Sequence, residues 1–181
     1  MSRSSSYPVL SLLLGFALST GLHAQSAPTD LSDAEVAHVA VTANSIDIDL
    51  AKLAHSRTTN PDVKQFANTM ITDHGAVNAQ ASALATKLGV TPADNQVSQS
   101  LLKGAAEARA TIEPLKDKVF DKAYIDREVA YHQAVLDALD GLLIPTTSNA
   151  ELKKLLVDVR PAFATHLEHA KKLQSVLVAA K

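Results

Sequence analysis

The sequence contains no cysteine and no tryptophan, and only four phenylalanines and three tyrosines occur among its 181 residues. Without cysteine, the chain forms no disulfide and offers no thiolate to a metal, so a metal site must use histidine and carboxylate side chains. There are 17 lysines and arginines against 19 aspartates and glutamates, and they form no basic block. Because nucleic-acid-binding surfaces are rich in positive charge and stacking aromatics, DNA and RNA are not expected partners.

The common catalytic patterns are also missing from the sequence. We find no Ser-His-Asp or Cys-His arrangement, no glycine-rich loop of the kind that binds phosphate, and no pair of catalytic carboxylates. Metal-assisted redox chemistry is the one reaction class that the remaining residues allow, and no motif favours it. We therefore do not expect an enzyme.

The N-terminus has the parts of a secretory signal peptide. One positive charge, Arg3, precedes an apolar run over residues 9–18, and the small residue Ala24 follows Leu22 and His23. This pattern predicts a signal peptide at residues 1–24. No cysteine follows the run to accept a lipid and no twin arginine precedes it, so we expect general export to the periplasm and no transmembrane segment after cleavage.

After a flexible segment at residues 25–30, apolar residues recur every three or four positions along four stretches, which is the period of amphipathic helices. Capping signals mark three of the starts: a Ser-x-x-Glu box at Ser32, a second box at Ser148, and the pair Asn60-Pro61. The pattern predicts helices over residues 32–57, 61–88, 117–142 and 149–179.

The connections between these helices determine the expected fold. Short turns join the first two helices and the last two, so each pair should be antiparallel. Residues 90–114 form a long connection with one weak helical patch over residues 98–110. The third helix should break up over residues 141–147, which include Pro145, whereas Pro161 should bend the last helix without breaking it. These features predict an all-α, ferritin-like four-helix bundle over residues 31–181 with one long crossover.

Each predicted bundle helix carries a polar residue on its apolar stripe: Asp47, His74, His132 and His166. A single histidine on such a stripe is usually a core residue bonded to a nearby carbonyl. Counting about 1.5 Å of rise per residue from the turns, however, places all four near the middle of the bundle. Burying three imidazoles and a carboxylate together is costly unless they bond to one another or to a cation. The sequence therefore predicts either a metal site or a buried hydrogen-bonded network.

Three further residues are assigned to the surroundings of this cluster. Asn78 lies one turn after His74 and is expected to orient its ring. His169 lies one turn after His166 and is a reserve ligand, whereas Asp73 points about 100° away from His74 and is expected to be an outer neighbour. Three imidazoles and a carboxylate suit a transition metal, and outside the cytoplasm we expect zinc or copper rather than iron.

Several of these residues belong to a pattern that resembles a known family, the exported bacterial proteins of the domain of unknown function 4142. The matching residues are the run from Asn60 through Phe66 to Met70 and His74, then Asn78, the segment Phe120-Asp-Lys-Ala-Tyr124, His132, Arg160-Pro161 and His166. The resemblance implies a ferritin-like bundle, usually periplasmic and often labelled an outer-membrane protein, without an established activity. The family pattern has Glu where this chain has Asp47, whose shorter side chain reaches less far.

Two functions are compatible with these features. In the first, the protein binds a metal ion through His74, His132, His166 and Asp47 and serves metal handling or stress protection. In the second, it is a structural or protein-interaction module of the cell envelope, and the same histidines form a buried network without metal. A protein partner or a homo-oligomer is compatible with either function.

Overall fold

The protein is described by a computed structural model over residues 30–179, and within that range it contains no strand. The helices are α1 (Asp33–Arg57), α2 (Pro61–Leu88), α3 (Gln96–Ile112), α4 (Asp117–Ala138) and α5 (Ala150–Ala179). α1 and α2 form one hairpin, α4 and α5 form the other, and the two hairpins pack as the predicted ferritin-like bundle with a long crossover. The predicted signal peptide at residues 1–24 lies outside the described residues, as does nearly all of the segment at residues 25–30.

The predicted capping residues begin α1 and α2. Ser32 Oγ accepts a hydrogen bond from the backbone N–H of Glu35 at 3.3 Å, and Glu35 Oε2 accepts one from the Ser32 N–H at 2.9 Å. Asn60 accepts two N–H groups of the first turn of α2, with Pro61 in the first helical position. Gly89 ends α2 with a φ of 63°, a left-handed conformation that glycine adopts without a steric penalty.

The capping box predicted at Ser148 does not form. Asn149 caps α5 instead, because its Oδ1 accepts the backbone N–H groups of Glu151 and Leu152, each at 3.0 Å. The N–H groups of Ser148 and Asn149 donate to the carboxylate of Asp33, at 2.8 and 3.0 Å. The start of α1 therefore holds the connection that precedes α5.

The crossover contains a fifth helix where the sequence indicated only a weak patch over residues 98–110. Asn95 caps α3 by accepting the N–H groups of Val97 and Ser98 at 3.0 Å each, and α3 packs mainly on α1. Ser98 and Ile112 are its only fully buried residues. The helical pattern is weak in the sequence because α3 buries such a narrow face.

Arg57, the last residue of α1, ties the crossover to the bundle. Its guanidinium donates to the backbone carbonyl of Glu113 and, at 2.6 Å, to that of Leu115. The same group lies 4.5 Å from the centre of the Phe120 ring, a distance at which the cation is attracted to the ring face. These contacts fix the place where the chain leaves α3 and enters α4.

The helical path does not break up over residues 141–147 as predicted. It continues from α4 through a π-helical turn, Leu139–Leu143, and a short α-helical turn, Ile144–Thr146. Pro145 lies at the start of that last turn, where its missing N–H is tolerated, and the wider π turn absorbs the change in hydrogen-bond register. α5 continues through Pro161, so this proline does not break the helix.

The apolar core is divided into two clusters with a polar layer between them. One cluster surrounds Phe66, Phe120 and Tyr124 near the turn between α1 and α2, and the other surrounds Leu139 and Leu152 at the opposite end. Along each bundle helix, the predicted polar residue stands where one cluster gives way to the other. No helix within residues 30–179 combines the length and the hydropathy needed to cross a membrane.

Candidate metal site

The four polar residues predicted from the apolar stripes meet in the layer between the two core clusters. Asp47, His74, His132 and His166 are 0%, 2%, 1% and 5% exposed. One possible ligand atom from each of the three histidines lies within 4.8 Å of the other two. Asp47 Oδ2 is 3.1 Å from His74 Nε2 and 3.5 Å from His132 Nε2. The helices therefore bring these side chains to one level, as the spacing from the turns predicted.

Hydrogen bonds fix the tautomers of His74 and His132. His74 Nδ1 lies 2.6 Å from Asn44 Oδ1, and because an amide oxygen only accepts, Nδ1 carries the hydrogen and Nε2 keeps its lone pair. His132 Nδ1 lies 3.0 Å from the backbone carbonyl of Glu128, which leaves His132 Nε2 as an acceptor for the same reason. Both Nε2 atoms face Asp47.

His166 is held in the opposite tautomer. Its Nε2 donates to Asp73 Oδ2 at 3.0 Å, so Nδ1 keeps the lone pair. The free nitrogens of all three histidines are buried without a hydrogen-bond partner, and both carboxylate oxygens of Asp47 are buried without a donor. Several acceptor atoms without donors are costly for the protein alone but form a suitable environment for a cation.

The donor set and its spacing fit a transition metal. Zinc binds imidazole nitrogen and carboxylate oxygen at about 2.0–2.2 Å, which in a tetrahedral site places neighbouring ligand atoms about 3.3 Å apart. The two distances from Asp47 Oδ2, 3.1 Å to His74 and 3.5 Å to His132, lie on either side of that value. The three histidines thus form a group that could hold a metal ion, and Asp47 lies close to two of them, His74 and His132.

Burial keeps the imidazoles neutral. It lowers the pKa of His74 to about 2, with the nearby His132 and His166 acting in the same direction. Burial also lowers the pKa of His132 to about 4. The pKa of His166 is lowered by burial, although the hydrogen bond to Asp73 acts in the opposite direction. The neutral ring is the form that binds a metal, so no proton has to leave the histidines first.

The structure adds a second buried carboxylate, Glu128, which the sequence interpretation missed. Glu128 is 0% exposed, its Oε2 lies 3.4 Å from His132 Nδ1, and its Oε1 accepts a hydrogen bond from Arg127 at 3.0 Å. Burial raises the pKa of Glu128 and raises that of Asp47 well above its usual range, the latter with a contribution from Glu128. Asp47, Glu128 and His132 form a second group of possible ligands within 4.8 Å.

A regular spacing in α4 is the signal that identifies Glu128. The buried residues Phe120, Tyr124, Glu128, His132 and Leu136 follow one another at intervals of four. His132 was the polar residue predicted on the apolar stripe of this helix, and Glu128, one turn before it, was passed over. Asp47 and Glu128 therefore lie together in space, although they are far apart in the sequence.

Asn44 holds the ring of His74, a role that the sequence analysis assigned to Asn78. Asn78 Nδ2 instead donates to Ser45 Oγ at 3.2 Å, and Asn78 Oδ1 is buried without a partner. Asn44 stands three residues before Asp47 on α1, and this spacing places both side chains on one face of the helix. That spacing is the signal by which the sequence could have identified Asn44.

His169 and Asp73 lie at the margin of the cluster. The ring of His169 packs edge-on against Phe66, with centroids 5.2 Å apart, and His169 belongs to neither group of possible ligands among the described residues. The structure thus does not bring the reserve ligand into the site. The Asp73 side chain is 46% exposed and contacts the cluster from outside through His166.

Comparison with known proteins supports this assignment of fold. No curated protein matches the chain. A solved structure described as "CopM in the Cu(II)-bound form" is similar to it, with a TM-score of 0.61 and 14% sequence identity over 81% of this chain and 97% of that chain. At this identity the likeness shows the fold alone. The model of the family described as a domain of unknown function, DUF4142, matches residues 18–173. Because this match covers most of the chain, the protein belongs to the DUF4142 family.

Proposed function

We propose that this protein binds a transition-metal ion through His74, His132, His166 and Asp47, and that it serves metal handling or stress protection rather than catalysis. The observation that carries the proposal is the set of three buried imidazoles beside the carboxyl group of Asp47, each with one nitrogen that has no hydrogen-bond partner. Each imidazole is already held by a bond at its other nitrogen. Because the possible ligand atoms of the three histidines lie within 4.8 Å of one another, binding requires only small side-chain movements.

Zinc or copper is the metal that the donor set favours over iron. Imidazole suits both ions, and divalent copper and zinc bind nitrogen ligands more tightly than divalent iron does. The similar fold of CopM, described in a Cu(II)-bound form, supports testing copper first. The signal-peptide pattern at residues 1–24 supports export to the periplasm as the place where the ion is acquired.

Elemental analysis of the purified protein tests the proposal. The protein is stripped with a chelator, incubated with Zn(II) or Cu(II) and desalted, and about one bound ion per chain is expected for one such ligand set. The triple variant His74→Ala/His132→Ala/His166→Ala should retain none. His55→Ala changes a histidine of α1 outside the cluster and should bind like the wild type. Wild-type protein that stays metal-free, or a triple variant that binds equally, would contradict the proposal.

The hydrogen bonds of the cluster also support a second candidate function, a metal-free structural or interaction module of the cell envelope. Asn44, the Glu128 carbonyl and Asp73 each bind one histidine, so the polar layer is partly satisfied without an ion. In that case the wild type would bind no metal in the same assay. Its stability would still depend on the neutral state of the buried imidazoles.

A further inference from the structure

A narrow apolar slot runs between the two hairpins on one side of the polar layer. Its volume is about 200 Å³, and all five helices contribute to its wall, mostly with aliphatic side chains such as Ala40, Val77, Leu84, Val97, Val135 and Leu155. Along α2 the lining extends from His74 to Leu88, a distance of about 21 Å at 1.5 Å per residue. Because so small a volume extends over such a length, the slot is long and thin.

The burial of the lining residues shows which end of the slot is closed. Asn44, His74 and Phe163 are 4%, 2% and 4% exposed where the slot meets the polar layer. The rings of His74 and Phe163 stack there, with centroids 4.8 Å apart. Leu88 and Val90, at the other end, are half-buried, as are Val77, Ala81 and Leu84 along α2. The slot is therefore accessible along the α2 side and closed at the polar layer, so a ligand would extend towards His74.

Three polar groups of the wall are already bonded within the protein, and the unpartnered Nε2 of His74 faces Asp47. The Asp33 carboxylate accepts two backbone N–H groups before α5, the Tyr131 hydroxyl donates to the Ala43 carbonyl at 2.8 Å, and Asn44 Oδ1 pairs with His74. The slot thus offers a ligand little besides apolar contact. An engineered apolar cavity of about 150 Å³ in another protein stays dry and takes up benzene, so a space of this size and lining suits hydrocarbon.

We propose that the slot binds one unbranched hydrocarbon chain, of the kind found in fatty acids and membrane lipids. The methyl end would lie against His74 and Phe163, and the polar end would remain outside beside Leu88 and Val90. The length and narrowness of the slot favour a chain over a ring system. A helix from a partner or from a second copy does not fit, because a helix with its side chains is about 10 Å across.

Titration calorimetry with sodium dodecanoate tests this inference on the full chain, in the presence of a chelator and below the micellar range of the probe. We expect saturable binding of about one molecule per chain, since the slot has room for a single chain. In a series from hexanoate to docosanoate, whose longest chains exceed the length of the slot, Kd should fall about fourfold for each added methylene while the chain lengthens inside the slot. Beyond the length of the slot, Kd should level off.

Two alanines of α2 provide a matched pair of variants. Ala81 lines the slot, so Ala81→Leu narrows it and should raise the Kd for dodecanoate at least about tenfold by displacing several buried methylenes. Ala79 is exposed on the same helix, and Ala79→Leu should leave the Kd unchanged. Circular dichroism verifies that both variants fold. Absence of saturable binding, equal Kd values for the two variants, or a Kd that never levels off with chain length would overturn the inference.

The same variants also distinguish two sources of the hydrocarbon chain, a membrane lipid and a free fatty acid. Co-sedimentation with phosphatidylglycerol vesicles that is lost in Ala81→Leu would identify a membrane lipid, whereas binding of dodecanoate alone would identify a free fatty acid. Vesicle binding that Ala81→Leu leaves unchanged would occur outside the slot and count against the inference. Since the titrations contain a chelator, failure here leaves the metal proposal untouched, and the reverse also holds.

Discussion

At the scale of single residues, the groups that hydrogen-bond to the three imidazoles should affect metal binding as well as the rings themselves. His74 is bonded to Asn44, His132 to the carbonyl of Glu128, and His166 to Asp73. A ring that turns away from the layer loses its bond, so these bonds hold each ring in place. The free nitrogens of His74 and His132 face Asp47. Ligands fixed in this way lose little rotational freedom on binding, which favours affinity. Replacing a residue that hydrogen-bonds to one of these imidazoles should therefore weaken metal binding without removing a ligand.

We expect Asn44→Leu to lower the affinity for Zn(II) or Cu(II) by about 10–100-fold, the range usual for a residue that orients a metal-binding histidine. The cause is the loss of the bond between Asn44 Oδ1 and His74 Nδ1. Competition with a chelating dye measures the affinity. Asn78→Leu is the matched control, because Asn78 bonds to Ser45 and not to His74. Equal losses of metal affinity in the two variants would show that the loss is not caused by a change in the orientation of the His74 ring.

The buried histidines also predict how stability depends on pH. The pKa values of about 2 for His74 and about 4 for His132 lie below the value of about 6.5 expected in the unfolded chain. Below pH 6.5 the unfolded chain therefore binds more protons, and the stability contributed by the neutral rings is lost as the pH falls. Asp47 and Glu128 act in the opposite sense, because their raised pKa values stabilise the fold at low pH and destabilise it as the pH rises.

For metal-free protein, each buried neutral histidine should lower the free energy of unfolding by up to about 1.4 kcal/mol per pH unit as the pH falls from about 6.5 to 5, and the two carboxyl groups oppose this change. His132→Gln removes one of these groups and should give a shallower slope. Urea unfolding in the presence of a chelator, at several pH values, measures both slopes. Parallel slopes for the wild type and the variant would mean that His132 is not buried in its neutral form.

The four central residues could be predicted from the sequence because each interrupts an apolar stripe at a countable distance from a turn. Asn44 and Glu128 also have the spacing of a buried face, but each stands next to an apolar residue that fits the stripe equally well. Which of two adjacent residues faces inward depends on the rotation of the helix about its axis. That rotation is set by packing against the other helices, which a single sequence does not contain.

At the scale of elements, contacts at helix ends hold the irregular parts of the chain. Arg57 binds two carbonyls between α3 and α4 and lies over Phe120. Asp33 binds the two N–H groups that precede α5. In both cases a charged side chain of α1 satisfies backbone groups that no helix satisfies, and hydrogen bonds of this kind are stronger than neutral ones.

We expect Arg57→Ala to lower the free energy of unfolding by about 1–3 kcal/mol, because two carbonyls lose a charged donor and Phe120 loses its cation. Arg109→Ala removes a cation of similar size from an exposed pair with Glu113 on α3. Its effect should be only about 0.3–0.5 kcal/mol. Chemical denaturation of both variants measures the difference. A loss for Arg57→Ala no larger than that for Arg109→Ala would show that the crossover contacts contribute little.

The sequence predicted the elements well where caps and stripes coincide, as at Ser32 and Asn60. It underestimated α3, whose narrow buried face gives little periodicity, and it predicted a break over residues 141–147, which include Pro145, where the helical path continues to Thr146. A π turn, which no local sequence motif predicts, lets the helix accommodate that proline. At Ser148 the pattern of a capping box was present, but Asp33 binds the backbone there and Asn149 takes over the cap.

At the scale of the whole molecule, each hairpin contributes two members of the polar layer. Asp47 and His74 come from α1 and α2, whereas His132 and His166 come from α4 and α5. A cation bound there would join the two hairpins at mid-height, where the apolar core is interrupted. Because the unfolded chain does not hold these side chains together, binding should stabilise the folded state.

At a metal concentration about 100 times the Kd, the free energy of unfolding should rise by about 2.7 kcal/mol, provided that the unfolded chain binds weakly. Denaturant unfolding with Zn(II) or Cu(II), compared with a chelator, measures the increase. His55→Ala should show the same increase as the wild type. The triple variant of His74, His132 and His166 should show none, and an increase of equal size there would place the stabilising ion elsewhere.

The division of the polar layer between the hairpins also bears on the order of events during synthesis. When α1 and α2 have left the ribosome, the nascent chain carries only Asp47 and His74, too few ligands to retain a zinc or copper ion against competing molecules. The other two appear only with α4 and α5. The complete ligand set therefore exists only once α5 has been made and has packed, and an ion held by all four residues would be acquired after that point.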